Sequence, residues 1–243
     1  RQSGQSRAPD VAATNGLRPL KRENIKGTQG IIQAVVRSFN ALRRFKKMEN
    51  TVLERKDLWS LEQYAEKREG FRAEVLAHKQ NRRVQIGEHI LLVFEDEKTI
   101  RYQIQEMLRI EKVFEAAGIE EELEAYNPLI PDGDNWKCSM LIQYPDVEER
   151  RQRLAELLDV ENRVWVQTGE TEKLFALADE DLERANDEKT SAVHFLRFQL
   201  GAAQVSAVKG GAAITFGVDH KNYQEQDVLV SEGVRTSLAA DLS

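Results

Sequence analysis

The chain has 243 residues and a formal net charge of −6 at pH 7, and 41% of its residues are hydrophobic and 31% charged. This composition is typical of a globular protein that is long enough to bury a core. No apolar run approaches the roughly 18–20 residues that cross a bilayer, and no short apolar segment near the start resembles a secretory signal. A single cysteine, Cys138, excludes an internal disulfide and fits a reducing cytoplasm.

The charge is distributed unevenly along the chain. Residues 1–47 carry 11 Lys/Arg against 2 Asp/Glu, a balance of +9, which leaves −15 for the remainder. The acidic body is expected to repel nucleic acid and anionic membranes, whereas the basic leader would attract them. Three interpretations of this leader stay open: an amphipathic targeting peptide, an arm for nucleic acid or membranes, and a disordered, dispensable extension that precedes a working start at Met48.

Hydrophobic periodicity predicts two long helices with a short buried strand between them. The first helix runs from Ser60 to about His78, the strand covers residues 89–94, and the second helix runs from residue 97 or 98 to Ala117, capped by Gly118. The elements predicted after them are a helix at 120–126, a turn at 131–135, a strand at 136–144, a helix at 147–158, a hairpin at 163–178, a strand at 191–200, a helix at 202–209 and a strand at 213–218.

This order of elements predicts one α+β domain over residues 48–223. Hairpin-type spacing in the middle of the chain favours a largely antiparallel sheet of about six strands with helices packed on one face. Trp136 is expected in the core, directly after the turn. Residues 224–243 offer little apolar surface, so we predict a flexible C-terminal tail.

Glu111 is the leading candidate for a functional residue. At 100° per residue, an apolar helix face is formed around it by Ile100, Ile104, Met107 and Phe114. A carboxylate on a core-facing surface costs stability unless it is paired, hydrogen-bonded or bound to a metal. Glu111 is therefore a candidate catalytic or metal-binding residue, and a buried structural salt bridge is the alternative.

Two histidines could complete a site with Glu111. His194 alternates with Leu196 and Phe198 on one strand face, where a lone histidine is usually a satisfied core residue, and His220 follows the last strand in what could equally be turn chemistry. If either imidazole meets the carboxylate, the pair could bind zinc or iron or move a proton. No cofactor can be assigned, because the sequence contains no local metal, nucleotide-binding or nucleophile motif.

Several strings of the sequence resemble a bacterial domain-of-unknown-function family, number 3501 in that series. The strings are Asp57–Tyr64, Arg101–Glu111, Asn127–Gly133 and Thr190–Arg197. The resemblance covers roughly Met48 to Tyr223 and implies a cytoplasmic bacterial protein, often encoded beside a rubrerythrin-like protein and an iron–sulfur oxidoreductase. It supplies no established activity and no catalytic residues, and it leaves residues 1–47 outside the match.

Two functional hypotheses follow. The first is a non-catalytic accessory or interaction protein of a redox or oxidative-stress system, whose acidic body binds protein partners such as the rubrerythrin-like protein or the iron–sulfur oxidoreductase. The alternative is a metal-dependent or acid/base enzyme that uses Glu111 with His194 or His220. We expect neither a nucleic-acid partner for the acidic body nor a membrane span.

Overall fold

A computed structural model describes residues 52–180 and 188–243, and the predicted leader, residues 1–47, lies outside them. The described residues form six α-helices and nine β-strands. The helices are α1 Leu61–Gln80, α2 Glu97–Glu111, α3 Ala116–Tyr126, α4 Val147–Glu156, α5 Ala202–Lys209 and α6 Glu232–Ala239. The strands are β1 Arg83–Ile86, β2 Ile90–Phe94, β3 Asn135–Ile142, β4 Val164–Thr168, β5 Leu174–Phe175, β6 Leu177–Ala178, β7 Val193–Gln199, β8 Ile214–His220 and β9 Tyr223–Leu229.

Side-chain caps start the two long helices where the sequence predicts. The Ser60 hydroxyl accepts a hydrogen bond from the Gln63 amide at the start of α1, and the Asp96 carboxylate accepts one from the Thr99 amide at the start of α2. Such caps satisfy backbone donors that have no partner within the helix. The predicted end of α2 is wrong, because Lys112 adopts a left-handed conformation (φ +57°) and terminates the helix at Glu111.

The strands form two antiparallel sheets. The first has the order β1-β2-β3-β7-β6 and the second the order β5-β4-β8-β9. The predicted α+β class and the antiparallel pairing are confirmed. The expected single sheet of about six strands is instead two sheets, because the chain leaves the second sheet at β5 and enters the first at β6.

The main hydrophobic core contains side chains from both sheets. Phe216 of the second sheet meets Phe94 and Phe198 of the first, with ring centroids 5.4 and 5.5 Å apart. Trp136 is fully buried, as predicted, and its indole N–H donates to the Leu238 carbonyl over 2.8 Å. Aromatic rings at such separations contribute packing energy beyond the area they bury.

Helices α2 and α3 share a separate, smaller core. Buried side chains on α2, including Ile104 and Met107, pack with Leu123 and Tyr126 of α3. This arrangement sets the end of α2 and the start of α3 at one surface. Within the part of the chain that the structure describes, no helix is both long enough and apolar enough to cross a bilayer.

The C-terminal residues pack on the main core, which corrects the prediction of a flexible tail over residues 224–243. They contribute most of β9 and all of α6. Val234, Leu238 and Leu242 are buried in the main core. Val234 and Leu238, four residues apart, lie on one face of α6, and Leu242 follows after the end of the helix.

Candidate functional site

Glu111 is an exposed residue at the last position of α2, so the expectation that it is buried is wrong. Ile100, Ile104 and Met107 do form the buried face of this helix. The helical wheel fails beyond them because the left-handed Lys112 ends the helix. Phe114, which the wheel placed on the same apolar face, is 69% exposed.

The turn between α2 and α3 creates an acidic surface with exposed apolar groups. We call it the α2–α3 corner and define it by Ile110, Glu111, Phe114, Glu121 and Glu122. Ile110 is 38% exposed, so this surface presents both an aromatic and an aliphatic side chain. Partial burial raises the pKa of Glu122 to about 7, and the charges of Glu111 and Glu121 act in the same direction. The corner therefore concentrates negative charge.

Among the described residues, two buried polar atoms of α3 have no hydrogen-bond partner: Oε2 of Glu122 and the hydroxyl of Tyr126. Burial raises the pKa of Tyr126 above its ordinary value, and the charges of Glu122 and Glu111 add to the rise. The Gln103 side chain lies close enough to oppose this rise, but it makes no hydrogen bond of acceptable geometry with the hydroxyl. Burying polar groups without a partner costs free energy, so these two atoms oppose the packing of α3 on α2.

His194 lies on β7 and is fully buried in a polar network. Its Nδ1 is 2.6 Å from Oδ2 of Asp179, and its Nε2 is 2.8 Å from the Thr190 hydroxyl and 3.0 Å from the Ser191 carbonyl. Both ring nitrogens therefore face oxygen acceptors. Asp179 has a positive φ of 48° and also accepts from the Phe195 amide, which fixes its carboxylate.

The order carboxylate, imidazole and hydroxyl resembles the arrangement that activates a nucleophile. Here, however, Thr190 is buried, and its hydroxyl donates to Oε2 of Glu161 over 2.9 Å. The hydroxyl hydrogen is thus directed at a carboxylate, and the oxygen has no surface at which a substrate could be attacked. The arrangement joins β7 to the short helix Val160–Arg163 and serves the fold.

His220 ends β8 and holds a neighbouring loop. Its Nε2 donates to the Leu158 carbonyl over 2.9 Å, and its Nδ1 accepts from the Asn222 amide over 3.2 Å. One donating and one accepting nitrogen define a single neutral tautomer. This imidazole therefore anchors the β8–β9 turn to the segment after α4.

The structure does not assemble Glu111, His194 and His220 into one metal centre. Across residues 52–180 and 188–243, no group of three or more His, Cys, Asp or Glu side chains has an arrangement that could hold a metal ion. His194 and His220 direct their ring nitrogens at neighbouring backbone and side-chain oxygens or amides. Glu111 instead lies at the exposed corner.

The sequence reasoning missed Glu122 and Tyr126, although a signal for them was present. The two residues are four apart, and Ile119 precedes Glu122 by three, so all three lie on one side of α3. Ile119 and Tyr126 both pack in the smaller core. Glu122 lies between Ile119 and Tyr126 on this side of the helix, so its side chain is partly buried. The neighbouring Glu120 and Glu121 make the segment look uniformly polar and hide this signal.

Comparisons with known proteins give a family and a related structure. A family model described as "Protein of unknown function (DUF3501)" matches residues 52–242. A crystal structure of a novel protein of unknown function from Burkholderia pseudomallei K96243 is 49% identical, with a TM-score of 0.75. That match covers 79% of this chain and 100% of the other. None of the curated proteins matches this chain.

Proposed function

This chain belongs to the DUF3501 family of proteins of unknown function, and we propose that it is a non-catalytic accessory protein that binds other proteins through its α2–α3 corner. The observation that carries the proposal is the exposure of Phe114, an aromatic side chain of which 69% is accessible. Ile110 adds a second exposed apolar group. Aromatic residues are enriched at protein interfaces, where they supply much of the binding energy.

The negative charge of this surface determines which kind of partner it favours. Residues 110–126 contain six glutamates and one lysine. Such a surface attracts a basic partner, speeds its association and disfavours acidic proteins. The expected partner surface is therefore positively charged and carries an apolar depression that accepts the Phe114 ring.

The cellular setting is the finer part of the proposal. The resemblance to a family often encoded beside a rubrerythrin-like protein and an iron–sulfur oxidoreductase supports a role in a redox or oxidative-stress system of the bacterial cytoplasm. Those two proteins are the first partners to examine. In this role the protein would position or protect a redox partner, and the chemistry would belong to the partner.

The experiment measures binding of the full chain to each of the two proteins by calorimetry at low and high salt. We expect binding that weakens as salt rises. Phe114→Ala should weaken it by roughly 30-fold, the effect of removing an interface anchor worth about 2 kcal/mol. Val147→Ala is the matched control, because Val147 is 62% exposed on α4 and should not affect binding. Binding that is indifferent to Phe114, or no binding by either protein, would contradict the proposal.

A further inference from the structure

We infer that a groove between α1 and α2 binds a small organic acid, with its carboxylate on Arg101 and Lys67 and its apolar body on the Trp59 ring. The groove has a volume of about 650 Å³ and is lined by both helices and by Trp59, which precedes α1. A groove of this size is typical of small-molecule sites. It shares no residue with the α2–α3 corner, so the inference goes beyond the proposed function and does not depend on it.

An aromatic wall of the groove is held in place by the fold. The rings of Trp59 and Phe71 meet edge to face, with centroids 5.0 Å apart. The buried Gln105 of α2 fixes the backbone of Trp59, because its Oε1 accepts from the Trp59 amide over 2.7 Å and its Nε2 donates to the Trp59 carbonyl over 3.3 Å. The apolar body of a ligand can therefore pack on a surface that is already ordered, which lowers the entropic cost of binding.

Two cations lie over the Trp59 ring. The guanidinium carbon of Arg101 is 4.3 Å from the ring centroid, and Nζ of Lys67 is 5.8 Å from it. The Nε of Arg101 is buried and has no hydrogen-bond partner among the described residues. Burying such a donor without a partner is unfavourable. A carboxylate can accept two parallel hydrogen bonds from a guanidinium, so after a small rotation of the Arg101 side chain it would satisfy this group.

The other charges of the groove favour a ligand with a single negative charge. Four further charged residues line it: Glu66, Glu74, Glu97 and Lys98. Lys98 is engaged by Glu74 over 3.3 Å, so it is less available to a ligand than Arg101 and Lys67. Glu66 and Glu97 would repel a doubly charged phosphate more strongly than a singly charged carboxylate. The lining therefore favours a monocarboxylate over a phosphate.

Gly70 leaves room for the ligand. It lies inside α1 and lines the groove, and a Cβ at this position would meet nothing within 4 Å. Glycine is less favourable than alanine in the interior of a helix, and no close neighbour requires it here. A long side chain at position 70 would therefore enter the open groove without a clash at its Cβ. This gives a way to fill the site while the helix is retained.

The test uses the full chain with three probes: 3-phenylpropionate, its uncharged amide and inorganic phosphate. Trp136 and Trp165 are fully buried, whereas Trp59 is partly exposed, so the indole N–H resonances of the three tryptophans report separately in NMR spectra. We expect 3-phenylpropionate to shift the Trp59 resonance and to leave the other two in place. The amide should bind at least about tenfold more weakly, because it lacks the charge-assisted hydrogen bond. Phosphate should also bind more weakly than the acid.

Variants assign the binding to the groove. Arg101→Gln should weaken binding of 3-phenylpropionate by at least about tenfold, because it removes the cation that receives the carboxylate. Arg109→Gln is the matched control, since it makes the same change of charge on α2 but lies outside the groove. Gly70→Met should abolish binding without lowering the melting temperature, because methionine favours a helix more than glycine does.

Several results would overturn the inference. Equal binding of the acid and the amide, or acid binding that persists in a folded Arg101→Gln variant, would exclude a carboxylate site at Arg101. Tighter binding of phosphate would contradict the proposed class of ligand. Undiminished binding by a folded Gly70→Met variant would place the acid outside the groove, and a Trp59 resonance that does not move up to the solubility limit of the acid would exclude the site. None of these results bears on Phe114, whose effect on partner binding tests the proposed function separately.

Discussion

Arg82 and Asp241 are hydrogen-bonded as a pair across 159 positions of the chain. The Arg82 side chain is 1% exposed, and its Nη2 and Nη1 lie 2.6 and 3.2 Å from the two carboxylate oxygens of Asp241. The same guanidinium donates to the Phe94 and Glu95 carbonyls. Arg82 follows α1 and Asp241 follows α6, so this contact ties the C-terminal segment to the start of the first sheet.

We predict that Asp241→Ala lowers the free energy of unfolding by up to about 3–5 kcal/mol, because it removes the closer of two carboxylates beside the buried guanidinium and leaves only Asp96, whose Oδ2 is 3.3 Å from Nη1. Urea denaturation at neutral pH measures the change. Glu232→Gln is the control, since Glu232 pairs with Arg235 on the exposed side of α6 and should leave the midpoint unchanged. A variant at Asp241 as stable as the original chain would show that the pair contributes nothing to holding the C-terminal segment.

The Arg82–Asp241 pair also shows which parts of the fold the sequence could predict. Helix starts at Ser60 and Asp96 were predictable because capping depends on residues three positions away. The attachment of the C-terminal segment was not, since its partners are more than 100 residues distant in the sequence. A short segment with few apolar residues resembles a tail until its distant contacts are known.

The burial of the candidate site residues could not be predicted from the sequence for a similar reason. Glu111 was predicted to be buried because the apolar period was extended to Phe114, past the end of the helix. The end is set by Lys112 in a left-handed conformation, which is usually adopted by glycine and is not expected of lysine. Glu122 remained unrecognised because its partial burial follows from the packing of α3 on α2, which local periodicity does not specify.

Substitution by alanine should change the stability of the protein in opposite directions at two glycines. Gly70 lies within α1, and a Cβ there would meet nothing within 4 Å. We expect Gly70→Ala to stabilise the protein by about 0.5–1 kcal/mol, because alanine loses less conformational entropy in a helix. A destabilised Gly70→Ala variant would contradict this expectation and would mean that the added methyl group meets a neighbour.

Gly217 on β8 provides the contrasting case. A Cβ at this position would overlap the indole of Trp165 and lie 2.7 Å from the Glu225 carbonyl oxygen. We expect Gly217→Ala to lower the free energy of unfolding by about 1–3 kcal/mol through overpacking, because the backbone carbonyl of Glu225 cannot move aside. Thermal melts of the two glycine variants, compared at one pH, test both signs. Equal shifts for the two would contradict the packing around Gly217.

Trp136 should be sensitive in two separable ways. Trp136→Ala removes a fully buried ring beside Phe94 and Phe216, and we expect a loss of about 3–5 kcal/mol. Trp136→Phe keeps an aromatic ring but leaves the Leu238 carbonyl without the indole donor, which should cost about 1–3 kcal/mol. Urea denaturation of the two variants compares these losses. If phenylalanine proved as costly as alanine, the hydrogen bond to α6 would dominate over the packing of the ring.

Glu106 and Glu122 should respond oppositely to pH. Burial alone would raise the pKa of Glu106, but hydrogen bonds from Arg68, Arg109 and Tyr64 lower it to about 2. Its ionised form is therefore favoured by folding, and it contributes stability above its ordinary pKa of 4.5 that is lost as the pH falls toward 2. Glu106→Gln should consequently destabilise the protein at pH 7, with little further change between pH 6 and 8.

For Glu122 the sign is reversed. Its pKa is raised from 4.5 to about 7, so the folded protein binds this proton more tightly than the unfolded chain does. The resulting stability is present below about pH 4.5 and is lost as the pH rises through 7. Glu122→Gln removes this dependence, so the variant should gain stability relative to the original chain between pH 5.5 and 8. Urea denaturation at pH 5.5, 6.5 and 8 measures the difference, in which the contributions of other groups cancel. Parallel stability curves for the two proteins would mean that Glu122 is ionised throughout this pH range and that its pKa is not raised in the folded protein.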